Sequence, residues 1–349
     1  VTWGYRYLLV PVLAAAFTLL VMASLREYYS GTALLWVTAG WTAWIALSRY
    51  VVRRYSPAIR VLWISSLPEV LSPDEHPELH IQFVSRPPDS WQDWNSIVTS
   101  DSVYESVDAR AWLLHAEMAD IEILPEPKAY EMLTGRVPLR VMREEHLPIV
   151  FGRPGRYIHA QRAFDLVAVI LFSPFIVLLS AIVALVVRMD AGSPVLYRQP
   201  RVGRDGAPFI LYKFRTMNKD AESDGPAFTI TGDSRVTRVG ALLRKFRLDE
   251  LPQFYNVLRG DMSIIGPRPE QVPFVEDFKE EIPLYDYRHI VRPGITGWAQ
   301  VSQGYAAGAN ETRDKLSYDL YYVKHQSLLL DLHIVFRTLQ TILSGFGAR

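Results

Sequence analysis

Three long apolar runs interrupt an otherwise charged chain. Nineteen uncharged residues separate Arg6 from Arg26, and twenty-one separate Glu27 from Arg49. At about 1.5 Å per helical residue, either run can cross a hydrocarbon core of about 30 Å. Their close succession predicts a transmembrane helical hairpin over residues 1–54 in preference to a lone uncleaved signal sequence. The third run, Leu166–Val187, holds twenty-two uncharged residues with Ser173-Pro174 near its middle. Proline removes a helical hydrogen bond and kinks the axis there, and the serine hydroxyl can satisfy the carbonyl that the kink frees. Two readings stand for the segment 163–188: a kinked helix that crosses, or a re-entrant helix that enters, bends and returns.

Between these runs the pattern changes. Short β-rich runs at 61–65, 79–84, 95–100 and 121–126 are joined by helical periodicity at 104–118 and 128–135, the last ended by Gly135. Strands alternating with helices predict a small parallel α/β domain over 55–150, Rossmann-like but without G-x-G-x-x-G. Beyond the third apolar run, residues 194–217 read as a β-hairpin about the turn GRDG, which feeds Lys213 and Arg215, two apart on one strand face, toward a site. Residues 239–246 read as an amphipathic helix. Residues 249–260 read as a second, with Asp249 as N-cap, Pro252 in the first turn and Gly260 as terminator. The expected fold class is thus membrane-associated α/β and α+β: a transmembrane hairpin, a parallel-sheet domain, and a mostly helical domain over 151–349 with a β-hairpin.

Composition sharpens this picture. Of 349 residues 49% are hydrophobic and none is cysteine, which excludes disulfide scaffolds, thiolate metal sites and a cysteine nucleophile. The 37 basic and 37 acidic residues cancel, but unevenly: residues 1–60 carry a net +5, residues 61–150 a net −10 and residues 151–349 a net +5. Arg49, Arg53, Arg54 and Arg60 follow the second run and set that end in the cytoplasm. Both flanks of the third run are arginine-rich as well, with Arg153, Arg156 and Arg162 before it and Arg188, Arg198, Arg201 and Arg204 after. That symmetry favours the re-entrant reading.

The candidate chemistry lies in the last domain. Asp249 and Glu250 are adjacent carboxylates among Arg244, Lys245, Arg247, Arg259 and Arg268, surroundings expected to keep a carboxylate ionised and to attract phosphate. An ionised aspartate beside a divalent cation and bound phosphates suits metal-assisted phosphoryl transfer, with Asp249 as nucleophile or metal ligand. SIIGPRPE presents Arg268 between two prolines, and RPGITGWAQV is a rigid loop able to hold Arg292 and Trp298 near a nucleotide or simply to make a structural turn. FVEDF and PLYDY, between residues 274 and 287, suit either a membrane surface or a buried helix face.

KFRTM, LLRKFRLDELPQFYNVLRGDMSIIGPRPE and RPGITGWAQV resemble the signature blocks of the bacterial sugar transferase family, the monotopic polyprenyl-phosphate phosphoglycosyl transferases, over roughly residues 160–340. The resemblance implies a re-entrant helix broken at Ser173 and Pro174. It implies an Asp249-Glu250 dyad with Asp249 as covalent nucleophile and both acids close to Mg²⁺ (or Mn²⁺), and phosphate contacts from Lys213, Arg244 and Arg268; Arg215 and Arg292 join the candidate phosphate-binding set. A UDP-sugar would donate its sugar 1-phosphate to undecaprenyl phosphate with release of UMP, beginning assembly of an exopolysaccharide, capsule or other glycan. The implied location is the bacterial inner membrane, with the catalytic domain on the cytoplasmic face. Expected partners are the UDP-sugar, undecaprenyl phosphate and membrane lipid; a homo-oligomer is left open and no nucleic acid is expected. The chain departs from the family where SQGYAAGANETRD follows GWAQV in place of NGR, and it has two N-terminal apolar runs where four helices are common. A competing reading is a non-enzymatic membrane scaffold that retains the transferase fold.

Overall fold

The computed structural model describes residues 59–64, 79–84, 93–139, 157–218, 233–303 and 309–344, together with positions 40, 43, 44, 47, 86 and 90. The N-terminal hairpin expected over 1–54 falls outside the described residues, apart from four helical positions. The chain divides into two compact units, Val1–Pro138 and Leu139–Arg349.

In the first unit, β1 (Ile59–Ile64), β2 (Leu79–Val84), β3 (Ser96–Thr99) and β4 (Glu122–Pro125) form one sheet in the order β2-β1-β3-β4. Every pairing is parallel, as the alternation of strands and helices predicts. Parallel strands need covered faces. On one face Leu62, Ile64 and Ile97 pack with Leu113 and Ala116 of α1 (Val107–Met118). On the other, Val61, Trp63 and Val98 pack with Ala129 of α2 (Glu126–Thr134), where the buried Trp63 indole donates to Glu126 Oε1 at 3.0 Å. Helix α2 ends at Gly135 in the left-handed region, φ 65°, a conformation that a side chain disfavours.

The second unit is organised around α3 (Tyr157–Ala191), a helix of 35 residues and the one described helix long and apolar enough to cross a membrane. Pro174 lies inside it and leaves the carbonyl of Ile170 without its helical donor; the Ser173 hydroxyl donates to that carbonyl at 2.8 Å. The two ends of α3 are held by the same unit. Near its start, Asp165 accepts from Ser263 Oγ (3.1 Å) and Ile264 N (3.0 Å), Gln161 donates to Ile265 O (3.1 Å), and Val169 packs with Leu211, Val257 and Met262. Near its end, Val183 and Val187 pack with Phe214 and Leu243. Between them Ile170, Leu171, Phe172, Phe175, Val177 and Leu178 are exposed.

Strands β5 (Leu196–Val202) and β6 (Pro208–Phe214) form the expected hairpin, with Tyr197 opposite Lys213. Next come α4 (Arg238–Lys245), α5 (Gln253–Arg259), β7 (Ser263–Ile265), α6 (Val272–Glu281), β8 (Gly294–Thr296), α7 (Trp298–Ser302), α8 (Ala309–Lys324) and α9 (Leu328–Ser344). Asn256 of α5 is wholly buried and stitches that helix to β6, donating to Ile210 O at 2.7 Å and accepting from Tyr212 N at 3.2 Å. Of the two readings for residues 274–287, the buried face holds, because Val275, Phe278 and Tyr285 are core residues. Trp298 is also core, packed by Tyr321 and His333, and is not presented to a nucleotide.

Helix α4 is capped by the Thr237 hydroxyl, which accepts from Gly240 N at 2.9 Å, and its first turn lies directly on the backbone beyond β6. A Cβ at Gly240 would fall 2.1 Å from Thr216 O. Backbone cannot yield as a flexible side chain does, so Gly240→Ala is expected to lower stability by about 1–3 kcal/mol. Denaturant unfolding of the purified protein in detergent measures this; an unchanged midpoint would show that α4 is not seated so closely.

Candidate active site

The dyad sits on a turn that the sequence pattern does not reveal. After α4 the chain reverses through Arg247, which adopts the left-handed region at φ 54°, ψ 25°. Few residues with a side chain do so without other constraints holding them there. A 3-10 turn, Leu248–Glu250, follows, and α5 begins only at Gln253. The expectation that Asp249 caps the helix is therefore corrected: Pro252 is the N-cap, and Asp249 is turned into the interior with its neighbour. Gly260 does terminate α5, at φ 90°.

Asp249 is 9% exposed and Glu250 6%. Arg268 Nη2 donates to Glu250 Oε1 at 2.8 Å, and Arg247 Nη1 stands 3.9 Å from Glu250 Oε2. Arg244 Nε donates to Thr216 Oγ1 at 2.8 Å, and Lys213 Nζ lies 4.9 Å from the centre of the Tyr197 ring. Lys213, Arg244 and Arg268 all act electrostatically on Asp249. The structure thus gathers Lys213, Arg244 and Arg268 about Asp249.

The two acids respond differently to this environment. Burial, then the charge of Glu250, pushes Asp249 up to about 6 against the pull of Lys213, Arg244 and Arg268. Burial works on Glu250 in the same direction, but Arg268 and then Arg247 outweigh it and hold that carboxyl below its usual range. Burial also brings the Lys213 ammonium down to about 8, with Arg201 adding to the effect. Desolvation thus outweighs the surrounding cations in setting where Asp249 titrates. One oxygen, Glu250 Oε2, is buried without a hydrogen-bond partner.

Two candidate residues lie elsewhere. Arg292 Nε donates to Gly260 O at 3.1 Å, at the end of α5, where its charged neighbours are Arg162, Arg204 and Asp165. Arg215 Nη1 donates to Ala191 O at 3.4 Å, beside the end of α3. Of the other cations near the dyad in sequence, Arg259 pairs with Asp261 at 3.3 Å.

Behind Arg268 lies a layer of charge that the sequence reading missed. Arg288 Nη2 donates to the main-chain carbonyl of Arg268 at 2.8 Å, while Arg288 Nε and Nη2 bind Asp319 Oδ2 at 3.1 and 2.7 Å and Nη1 donates to Tyr285 Oη at 2.9 Å. Arg288 and Asp319 are both almost completely buried. Glu270 is bonded by Lys315 and approached by Arg201, and Arg201 Nη1 donates to Pro269 O at 3.0 Å. No spacing rule links residues 268, 288 and 319; only the packing of the Tyr285–Ile290 turn on α8 brings them together.

A model of the bacterial sugar transferase family matches residues 156–345, more than half of the chain. The UDP-N-acetylgalactosamine-undecaprenyl-phosphate N-acetylgalactosaminephosphotransferase of Aeromonas hydrophila is 48% identical over 238 residues, 68% of this chain and 56% of that protein. The UDP-glucose:undecaprenyl-phosphate glucose-1-phosphate transferase of Caulobacter vibrioides is 42% identical over 193 residues, 54% of this chain and 71% of that protein. An exopolysaccharide production protein of Rhizobium leguminosarum is 39% identical over 188 residues, 51% of this chain and 92% of that protein. The chain belongs to the bacterial sugar transferase family, and it spans little more than half the length of the Aeromonas relative.

The layer behind Arg268 yields a stability prediction. Burial raises the Glu270 carboxyl, but Lys315, then Arg288 and Arg201, outweigh it and bring it to about 2 from the usual 4.5. A depressed folded value means that Glu270 stabilises the fold above about pH 4.5 and loses that contribution as pH falls toward 2. Glu270→Gln is expected to destabilise by about 3 kcal/mol at pH 7, because it leaves Lys315 and Arg201 without their counter-charge. Denaturant unfolding at a series of pH values should show the gap from wild type shrinking below pH 4.5; a gap independent of pH would contradict the charge account.

Proposed function

We propose that the protein transfers a sugar 1-phosphate from a UDP-sugar to undecaprenyl phosphate, releasing UMP and opening the assembly of an exopolysaccharide or related glycan. The observation that carries this reading is the buried Asp249-Glu250 pair with Lys213, Arg244 and Arg268 about it, inside the segment that matches the family. The Aeromonas and Caulobacter relatives are named for undecaprenyl phosphate and UDP-sugars, and their sugars differ, N-acetylgalactosamine in one and glucose in the other.

In the mechanism we infer, a carboxylate oxygen of Asp249 attacks the sugar-bearing phosphorus. The bond from that phosphorus to the bridging oxygen breaks, and its electron pair leaves with UMP, giving an aspartyl phosphosugar. An oxygen of undecaprenyl phosphate then attacks the same phosphorus, the carboxylate of Asp249 departs, and the lipid diphosphosugar forms. At pH 7 an Asp249 that titrates near 6 is mostly ionised and ready to attack. Lys213, Arg244 and Arg268 orient the diphosphate and stabilise the charge that develops on it. Asp249 and Glu250 fit a divalent cation, Mg²⁺ or Mn²⁺: they offer two adjacent carboxylates, with Glu250 Oε2 lacking any hydrogen-bond donor, and substrate phosphates and water commonly complete such a shell. When bound, the cation screens the repulsion between an anionic nucleophile and a diphosphate.

The site belongs, on this reading, at the cytoplasmic face of the inner membrane, on a re-entrant α3. Residues 169 and 183 of a straight helix would be about 21 Å apart. Their packing partners Leu211 and Phe214 are three residues apart on β6, about 10 Å. A bend at Ser173-Pro174, with the exposed apolar middle of α3 dipping into lipid, accommodates both.

Purified protein with Mg²⁺, undecaprenyl phosphate and a panel of UDP-sugars should release UMP with at least one sugar; no release with any would favour the scaffold reading. Asp249→Asn is expected to lower the rate by about 10³-fold or more, and a wild-type rate in that variant would remove the nucleophile. Single cysteines at Ala160 and Ala191 should both react from the cytoplasmic side only; labelling of either from outside would mean that α3 crosses.

A further inference from the structure

Of the cations that act on Asp249, Lys213 comes from β6 itself, and Arg244 is reached from just beyond that strand. Phe214, near the end of β6, packs with Leu243 of α4. Two residues later Thr216 is 3% exposed, and its carbonyl accepts from Thr237 N, at the cap of α4, at 3.0 Å. Gly240 and Arg244 are four apart on α4, so they lie on one face of it, about 6 Å apart along the axis. A residue without a Cβ lets the Thr216 backbone close on the first turn of that face, because a Cβ at Gly240 would fall 2.1 Å from Thr216 O. The Thr216 hydroxyl then reaches the last turn of the same face, where Arg244 Nε donates to it at 2.8 Å.

A guanidinium carries five N–H donors in one plane, and this bond takes the single one on Nε. The four on the two Nη atoms form the fork from which a phosphate accepts two parallel bonds. An unrestrained arginine must freeze several torsions to present that fork, and a misplacement of about 1 Å can cost a reaction about a hundredfold. A buried hydroxyl that grips the Nε edge fixes the plane of the fork before any phosphate arrives. The carbonyl of Thr216 serves the helix cap and its hydroxyl serves Arg244, so the structural contact and the positioning contact fall on different atoms of one residue.

We propose that Thr216 is a positioning residue, whose hydroxyl holds Arg244 by its Nε edge and leaves the Nη edge for the diphosphate of the nucleotide donor. The inference rests on the transferase reading above and deepens it. Arg244 touches the phosphates, and Thr216 acts only through Arg244.

The test uses the full chain in phosphatidylcholine nanodiscs with Mg²⁺, as wild type, Thr216→Val, Thr216→Ser, Arg244→Ala and the double variant Thr216→Val/Arg244→Ala. The probe is UDP, which carries the diphosphate and leaves the identity of the sugar out of the measurement. Thr216→Val should weaken equilibrium binding of UDP about tenfold, and Thr216→Ser, which keeps the hydroxyl, should stay within about threefold of wild type. With Arg244→Ala already in place, Thr216→Val should cost less than about twofold more, because the side chain through which it acts is gone. The same cycle should appear in kcat/KM for the UDP-sugar. A loss repeated in full on the Arg244→Ala background would show that Thr216 merely supports the fold of the site, and it would overturn the proposal. Wild-type binding by Thr216→Val, or a Thr216→Ser variant as weak as Thr216→Val, would overturn it as well. If Thr216→Val does not fold, Thr216→Ala, which adds no bulk, takes its place in the cycle. Binding is read without turnover: a chain that shows this coupling but releases no UMP with any sugar would sink the transferase reading and leave Thr216 in its role, while UMP release without the coupling would do the reverse.

Discussion

Two adjacent carboxylates with less than a tenth of their surface exposed must each be compensated or protonated, and the structure around them is arranged by that demand. Glu250 takes the direct ion pair with Arg268 and is held below its usual range, while burial and then the charge of Glu250 raise Asp249. Asp249 receives its compensation from cations acting at longer range. Asp249 is in this way raised toward neutrality without being locked in a tight pair.

Holding Arg268 in place takes a second tier of charge. The guanidinium of Arg288 reaches the Arg268 main chain and is itself neutralised by Asp319, while Arg201 grips the neighbouring Pro269 carbonyl. Prolines on either side of Arg268 narrow the conformations open to the turn, and these contacts select one of them. The second unit is polar around Arg268 for this reason, although its long helix is among the most apolar segments in the chain.

That helix is long and apolar enough to cross a membrane. Its apolar middle faces outward, while polar groups near its start, Tyr157, Gln161 and Asp165, are bound into the unit through Asp331, Tyr322 and the β7 backbone. The Ser173 hydroxyl meets the carbonyl that Pro174 strands, so a proline in an apolar environment leaves no unsatisfied acceptor at that point.

Much of this was legible from residue order alone. Apolar run length marked α3, alternation marked the parallel sheet and the hairpin, and Gly135 and Gly260 marked two helix ends; these are local patterns, set by the intrinsic geometry of strand, helix and turn. Asp249, Glu250, Lys213, Arg244 and Arg268 were singled out by the resemblance of their sequence blocks to a family. What the sequence could not disclose depends on atoms distant along the chain. A left-handed Arg247 accompanies the change of Asp249 from a helix cap to a buried acid, burial raises its titration against the surrounding cations, Arg215 and Arg292 bond the main-chain carbonyls of Ala191 and Gly260, and Arg288 meets Arg268 only across packed elements. Desolvation and charge pairing are properties of three-dimensional neighbourhoods, and no periodicity along one dimension encodes them.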